Sequence, residues 1–159
     1  EELTRAMTPF SQKPGDVTAL RNSLQDVMWE DVGVMRDADG LQRGLQRIAE
    51  IDDELSSLGV AADNLAFNLS WHDWLNIRSL VDMSTVIAKA ALSRENSRGA
   101  HFREDFPDAG AMQESYFTLA TGHGEAISVS RAPVQFTIVK PGETLLGDDE
   151  AETLVEAAQ

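Results

Sequence analysis

The chain has 159 residues, the length of one domain or of a small domain with an appendage. Its 13 Lys and Arg against 27 Asp and Glu give a formal net charge of −14. Binding to nucleic acid or to anionic lipid is therefore not expected, because both require clustered basic side chains. The absence of cysteine excludes a disulfide frame, a thiolate metal site and a cysteine nucleophile, and it permits a cytoplasmic setting.

The two ends of the sequence are predicted to be a linker and a tail, and the chain to contain no membrane-spanning segment. No apolar run approaches the ~20 residues that span a bilayer, so direct membrane insertion is not expected. The chain does not begin with Met, and we expect it to be a fragment or a processed product. Residues 1–14 are predicted to be a linker from a preceding domain, and residues 141–159, with six acidic and no basic side chains, a solvated acidic tail.

The first long helix is predicted to start after Asp16, a plausible N-cap. Its apolar stripe follows a spacing of three and four residues, interrupted only by Asp31. Its members are Val17, Leu20, Leu24, Val27 and Val34.

A second stripe follows a polar break, in which either Asp37 or Asp39 could cap the next helix. Its members are Leu41, Leu45, Ile48, Ile51, Leu55 and Leu58. The stripe stops at Gly59, which suits a left-handed residue just after a helix.

The third helix is predicted to open with Ser70 and Asp73, which approximate a capping box, and to end near Arg98, with Gly99 as its stop. One face carries Trp74, Ile77, Val81, Ser84, Ala88 and Ala91. Three long amphipathic helices with short connections predict a mainly α fold, an antiparallel three-helix bundle over residues 15–99.

Residues 100–140 are predicted to be an extended segment with a β-hairpin. Side chains alternate in character over residues 116–121 and 127–130, and Gly122 and Gly124 lie between the two runs. Residues 134–139 are predicted to be a further extended segment, bounded by Pro133 and Pro141.

The most polar cluster lies at residues 94–107. If this chain is extended, His101, Arg103 and Asp105 point one way, and the phenylalanines at 102 and 106 point the other. An arginine near a helix C-terminus can bond the unpaired carbonyls there, so we favour a structural lock. A direct catalytic role and packing against a domain outside this chain are the alternatives.

Other catalytic patterns are missing from the sequence. The histidines at 72, 101 and 123 do not form an HxxxH or HExxH motif, and there is no GxSxG, GxGxxG or Walker loop. The tryptophans at 29, 71 and 74 are expected to pack in the core or at helix ends. Residue patterns alone therefore indicate an acidic helical bundle with a β-hairpin. They do not indicate a catalytic, metal-binding or nucleotide-binding site.

Residues 97–107, SRGAHFREDFP, resemble the S-R-G-x-H-x-R-x-D-[FY]-P segment of the succinate dehydrogenase/fumarate reductase flavoprotein subunit family, which includes L-aspartate oxidase. Residues 24–37 are similar to the first helix of that family's C-terminal domain, and residues 40–45 to the start of its second. The resemblance covers residues 15–140. It departs from the family at Asn96, where Glu is usual.

The resemblance implies a spectrin-repeat-like three-helix bundle followed by extended chain. It also implies a full-length protein that carries FAD and moves a hydride between flavin and a C4 dicarboxylate. In the family, the flavin-binding and substrate-binding residues lie in preceding domains, so no catalytic, cofactor-binding or metal residue is carried over. What is carried over is a structural, interdomain motif of Ser97, Arg98, Gly99, His101, Arg103 and Asp105.

The resemblance also implies partners. These are the preceding FAD-binding and capping domains of the same polypeptide, with an iron–sulfur subunit as a further candidate. The expected location is cytoplasmic, or peripheral to the inner membrane through partner subunits. The resemblance does not distinguish succinate dehydrogenase, fumarate reductase and L-aspartate oxidase. The alternative is a free-standing acidic helical module that binds a protein partner.

Overall fold

The computed structural model describes residues 2–61, 64–111, 113–122 and 126–143. Within these ranges the domain is mainly α, as predicted. The elements in chain order are α1 (Glu2–Met7), a 3-10 helix (Thr8–Ser11), β1 (Lys13–Pro14), α2 (Val17–Glu30), β2 (Met35–Arg36), α3 (Ala38–Ser57), β3 (Leu58–Gly59), α4 (Leu69–Ser93), β4 (Phe102–Arg103), β5 (Tyr116–Thr121) and β6 (Ser128–Pro133). Most of the predicted acidic tail lies outside the described residues.

The hydrophobic core lies between α2, α3 and α4, each of which packs against the other two. All six positions of the predicted apolar face of α4 are buried. The buried apolar side chains of the core are Leu20, Leu24, Val27, Val32, Leu41, Ile48, Ile51, Leu55, Val60, Trp74, Ile77, Val81, Ala88 and Ala91. Spacing of three and four residues therefore located the buried side of each long helix.

The starts of α2 and α3 are capped by their own side chains. Asp16 accepts a hydrogen bond from the amide of Ala19 at 3.1 Å, as predicted. Of the two candidates before α3, it is Asp37 that caps, accepting from the amide of Gly40 at 2.6 Å. Each bond satisfies one of the amides that a helix N-terminus leaves unpaired.

The predicted start of α4 is wrong. The helix begins at Leu69, and its cap is Asn68, whose side chain accepts from the amide of Trp71 at 2.9 Å. Ser70 therefore lies inside the first turn, and the predicted capping box with Asp73 does not form. Asn is as good an N-cap as Ser, and it precedes Ser70 in the sequence.

The first long helix ends earlier than its stripe suggested. α2 stops at Glu30, and Val34, predicted to be a core position, is 72% exposed. Trp29 is also largely exposed, so its predicted packing is wrong, whereas Trp74 is buried. The chain turns at Gly33, where a Cβ would lie 2.5 Å from the carbonyl oxygen of Trp29.

Gly59 does not adopt the predicted left-handed conformation. It lies in β3, which pairs in parallel with β1, and an added Cβ would overlap the carbonyl of Gln12. A glycine is needed here for close approach of two backbones. The segment from α1 to β1 therefore contacts the helical core, and the indole Nε1 of Trp71 donates to the carbonyl of Ala6 at 2.8 Å.

Strands β5 and β6 form an antiparallel pair in which Tyr116 lies opposite Pro133 and Thr121 opposite Ser128. Part of the predicted turn, residues 123–125, lies outside the described residues. Residues 134–139, predicted to be extended, form no strand and bend at Thr137 and Ile138. The amide of Val134 still donates to the carbonyl of Ser115 at 2.9 Å, just before β5 begins at Tyr116. None of the described helices has the length and apolar character needed to cross a bilayer.

Candidate functional site

The polar segment 97–107 lies against the C-terminal end of α4. The helix ends at Ser93, five residues before the predicted end, because Arg94 is extended, with φ −97° and ψ 108°. Strand β4 pairs in parallel with β2, and the amide of Glu104 donates to the carbonyl of Arg36 at 2.7 Å. This pairing holds the extended chain beside the last turn of α4.

Arg103 bonds carbonyl groups at the end of α4, where a helix lacks the amides of a following turn. Its Nη1 donates to the carbonyl oxygens of Ala91, Leu92 and Arg94 at 3.1, 3.2 and 3.2 Å. The side chain is 1% exposed. A buried guanidinium requires an opposite charge and a full set of acceptors.

Asp105 supplies that charge and also reaches a second helix. Its two oxygens accept from Nε and Nη2 of Arg103 at 2.7 and 2.6 Å, the fork geometry that strengthens such pairs. Oδ2 also accepts from the amide of Ala38, in the first turn of α3, at 3.0 Å. Hydrogen bonding from Arg103, with help from the Ala38 amide, lowers the pKa of Asp105 from 3.8 to about 2. We call Arg103 and Asp105 the clamp, because they join the end of α4 to the start of α3.

Ser97 folds the segment back on itself. Its hydroxyl accepts from the amide of Arg103 at 2.9 Å and donates to the carbonyl of Phe106 at 2.8 Å. Its own amide donates to the carbonyl of Asp108 at 2.9 Å. The serine therefore fixes the backbone on both sides of the clamp.

Arg98 and Gly99 form a tight turn and a second set of main-chain contacts. Arg98 and His101 exchange two backbone hydrogen bonds of 3.0 and 3.1 Å, and Gly99 has φ +58°, which glycine adopts with least cost. The guanidinium of Arg98 donates to the carbonyls of Ala109 and Ala111 at 2.5 and 2.6 Å. Arg98 therefore holds the loop that follows the clamp, whereas the carbonyls at the end of α4 accept from Arg103 and, at Ser93, from Arg131 of β6.

His101 is 7% exposed and lies beside two arginines. Its Nδ1 is 3.0 Å from Nη1 of Arg36, and its Nε2 is 3.4 Å from the carbonyl oxygen of Arg94. Because a guanidinium can only donate, the contact with Arg36 requires an unprotonated Nδ1 and hence the Nε2–H tautomer. Burial and then the charge of Arg94 lower the pKa of His101, which is consistent with a neutral ring.

The six residues of the predicted motif thus lie together, and their polar atoms mainly bond the main chain or one another. The two phenylalanines do not pack on apolar surface as expected: Phe102 is 38% and Phe106 36% exposed. The guanidinium carbon of Arg103 lies 5.0 Å from the centroid of the Phe106 ring, so the contact is a cation–π interaction. The arrangement can fix backbone geometry, but it presents no nucleophile beside a base.

Two parts of this region escaped the sequence analysis. Arg36 bonds His101 and also donates from Nε to the carbonyl of Gly33 at 2.6 Å. Asp31, treated as an interruption of a stripe, is buried and accepts from Arg43 and Arg47 at 3.2 and 3.0 Å. The sequence did contain a signal for the Asp31 contacts, because Arg43 and Arg47 are four residues apart and therefore lie on one helix face. No sequence signal indicated Arg36.

The described residues do not fit FAD or a metal ion. Two clefts have volumes of about 430 and 350 Å³, the first beside Leu80 and Met83, the second beside Arg36 and Arg94. Neither contains the glycine-rich turn before a helix that cradles a dinucleotide phosphate. Within the described ranges no three His, Asp or Glu side chains cluster as metal ligands.

The fold and this site define a helical structural domain. The family described as "Fumarate reductase flavoprotein C-term" matches residues 21–145, and the chain belongs to that family. It is thus a C-terminal domain of the flavoproteins of fumarate reductase and succinate dehydrogenase type.

Individual relatives agree with this assignment. An FAD-dependent oxidoreductase of Methanocaldococcus jannaschii, itself described as uncharacterized, is 31% identical over 112 residues, or 68% of this chain and 20% of that protein. L-aspartate oxidase 1 of Ralstonia nicotianae is 38% identical over 86 residues, or 54% of this chain and 15% of that protein.

A solved structure, Mycobacterium smegmatis Sdh1 in complex with UQ1, superimposes with a TM-score of 0.74 and 28% identity, covering 97% of this chain and 26% of that one. The chain spans a fifth or less of the length of the two curated relatives from Methanocaldococcus jannaschii and Ralstonia nicotianae.

Proposed function

We propose that this chain is the structural C-terminal domain of an FAD-dependent oxidoreductase that acts on a C4 dicarboxylate of the succinate, fumarate or L-aspartate type. The observation that carries the proposal is the family match over residues 21–145. This match includes the whole of the polar segment 97–107. FAD would be held by preceding domains; the lack of a glycine-rich phosphate-binding turn in the two clefts described above supports this. The domain itself would contribute to turnover only by supporting those domains.

The proposal includes a division of the chain. Residues 15–99 would be an antiparallel, spectrin-repeat-like three-helix bundle, which the mutual packing of α2, α3 and α4 supports. Residues 100–140 would brace this bundle, residues 1–14 would connect it to the preceding domain, and residues 141–159 would be an acidic tail. Ser97, Arg98, Gly99, His101, Arg103 and Asp105 would be the structural motif between the bundle and the brace.

The proposed partners are the FAD-binding and capping domains of the same polypeptide, with an iron–sulfur subunit as a further one. Relatives named as fumarate reductase and succinate dehydrogenase flavoprotein subunits support this proposal, since their names describe them as subunits. The proposed location is cytoplasmic, with attachment to the inner membrane only through partner subunits.

The test compares the 159-residue chain with the polypeptide encoded by the whole reading frame around it. The chain alone should fold and carry no flavin absorbance. The longer polypeptide should bind FAD and should reduce fumarate, or oxidise succinate or L-aspartate, with a dye as redox partner. Stoichiometric flavin on the chain alone would contradict the proposal. So would a reading frame that starts at this chain, which would favour a free-standing interaction module.

A further inference from the structure

α4 carries a second row of side chains, on the side away from the core. Positions 76, 80, 83, 87 and 90 are spaced alternately by four and three residues, and Arg94, the first residue after the helix, follows them. Three of them are apolar and exposed: Leu80 by 45%, Met83 by 56% and Ile87 by 43%. Spacing of this kind places residues on one helix face, where they form a packing surface for another segment.

This row, which we call the outer row, is about 21 Å long from residue 76 to residue 90 at 1.5 Å per residue, and Arg94 marks its end. It passes between the two clefts described above. One cleft includes Leu80 and Met83, and the other includes Ile87 and Arg94. The outer row is therefore apolar along most of its length, with Asn76 at one end and Arg94 at the other.

The Arg94 end of the outer row is positively charged. Arg36, Arg94 and His101 line the cleft there. Among the described residues, no carboxylate lies within 4 Å of the guanidinium of Arg36 or Arg94. In a chain with a net charge of −14, two neighbouring arginines without a carboxylate are a site that favours an incoming anion.

We propose that the outer row receives a segment from the preceding part of the same polypeptide. This segment would lay apolar side chains on Leu80, Met83 and Ile87 and place a carboxylate between Arg36 and Arg94. The inference rests on the proposed function, which requires such preceding domains. The chain spans 20% of the relative in Methanocaldococcus jannaschii, so most of a polypeptide of that length would be available to cover the row.

Charge complementarity decides the kind of occupant. A second copy related by a two-fold axis at this cleft would bring a basic cleft against a basic cleft, which is unfavourable. A segment with an acidic end neutralises the two arginines while its apolar part removes the exposed row from water. The same occupant therefore explains both features of the surface.

The first experiment measures thiol labelling at Met83→Cys, a single probe in a chain that contains no cysteine. The labelling rate is compared between the 159-residue chain and the flavin-containing full-length polypeptide, by mass spectrometry of the labelled peptide. We expect labelling to be at least tenfold slower in the full-length polypeptide. The matched control is Glu54→Cys, on the exposed side of α3, which should label at the same rate in both. Equal rates at Met83→Cys would overturn the proposal.

The second experiment tests the carboxylate. Arg94→Gln in the full-length polypeptide should raise the labelling rate of Met83→Cys at least threefold, because it removes one of the two cations that hold the segment. Lys13→Gln, the same charge change at an exposed residue of β1, should not. No difference between these variants would reject the charged part of the proposal. A full-length polypeptide without flavin would instead count against the proposed function, whatever the labelling rates.

Discussion

The two ends of α4 are stabilised in different ways. At its start, Asn68 accepts from the amide of Trp71, three residues on. At its end, three carbonyls are held by Arg103, which lies nine to twelve residues further along the chain. The cap at the first end is formed by residues close in sequence, and such a cap stabilises a protein by about 1 kcal/mol. The second depends on a buried charge and its partner, so we expect it to be the more sensitive to substitution.

The largest effect should come from Arg103→Met. This change removes one donor from three carbonyls at the end of α4 and removes the guanidinium from Asp105, which keeps the amide of Ala38. Breaking a buried ion pair costs about 3–5 kcal/mol. Urea unfolding of the 159-residue chain, followed by circular dichroism, measures the loss. Arg98→Met, which removes contacts only to the following loop, should cost less. If the two variants lost equal stability, the contrast between them would be wrong.

Asp105→Asn tests the other half of the clamp. At pH 7 it should cost about 2 kcal/mol, the value of a hydrogen bond to a charged group. The pKa of Asp105 is lowered from 3.8 to about 2 in the folded chain, so its contribution is full above pH 3.8 and is lost as the pH falls to about 2. Unfolding at a series of pH values should therefore show the variant and the parent chain converging in that range. Asp108→Asn, at an exposed residue, should show no such convergence.

Gly99→Ala should cost about 1–2 kcal/mol, because Gly99 has φ +58° and a side chain disfavours the left-handed region. A Cβ at this position would meet no atom within 4 Å, so the loss would come from the backbone alone. Thermal unfolding measures it, with Ala100→Gly as the neighbouring control. A variant as stable as the parent chain would show that the turn can rearrange.

The smallest effect should come from Asn68→Ala, about 1 kcal/mol from loss of the N-cap. Asn76→Ala, at an exposed position inside the same helix, should have no such cost, because Ala is the better helix former. Chemical unfolding of both variants separates capping from propensity. A cost at Asn68 equal to that of Arg103→Met would remove the contrast between the two ends.

Sequence periodicity predicted the parts of the fold that depend on near neighbours. The buried face of α4 and the cap at Asp16 follow from spacings of three and four residues. The end of α4 was placed five residues too late, because the helix stops at an extended Arg94 and the side chains that bond its last carbonyls, Arg103 and Arg131, lie on separate strands. Gly59 was misread for the same reason, since its partner is the distant Gln12.

For the candidate site, the sequence indicated which residues lie together more fully than it indicated their individual contacts. The resemblance over residues 97–107 brought the six motif residues together, and an arginine at a helix end was expected on chemical grounds. The assignment of Arg98 and Arg103 to separate tasks required the turn at Gly99 and the pairing of β2 with β4. Arg36 belongs to the site only through that pairing, so neighbouring residues contained no indication of it.

The bond between Asp105 and the amide of Ala38 spans 67 positions of sequence, which has a consequence for the order of folding. Caps such as Asn68 can form as soon as their own turn does, whereas closing a long loop carries an entropic cost that must be met first. The clamp should therefore form late, after α3 and α4 have packed. Substitutions at Arg103 should then mainly accelerate unfolding and leave the folding rate nearly unchanged, so the clamp governs how long the folded domain persists.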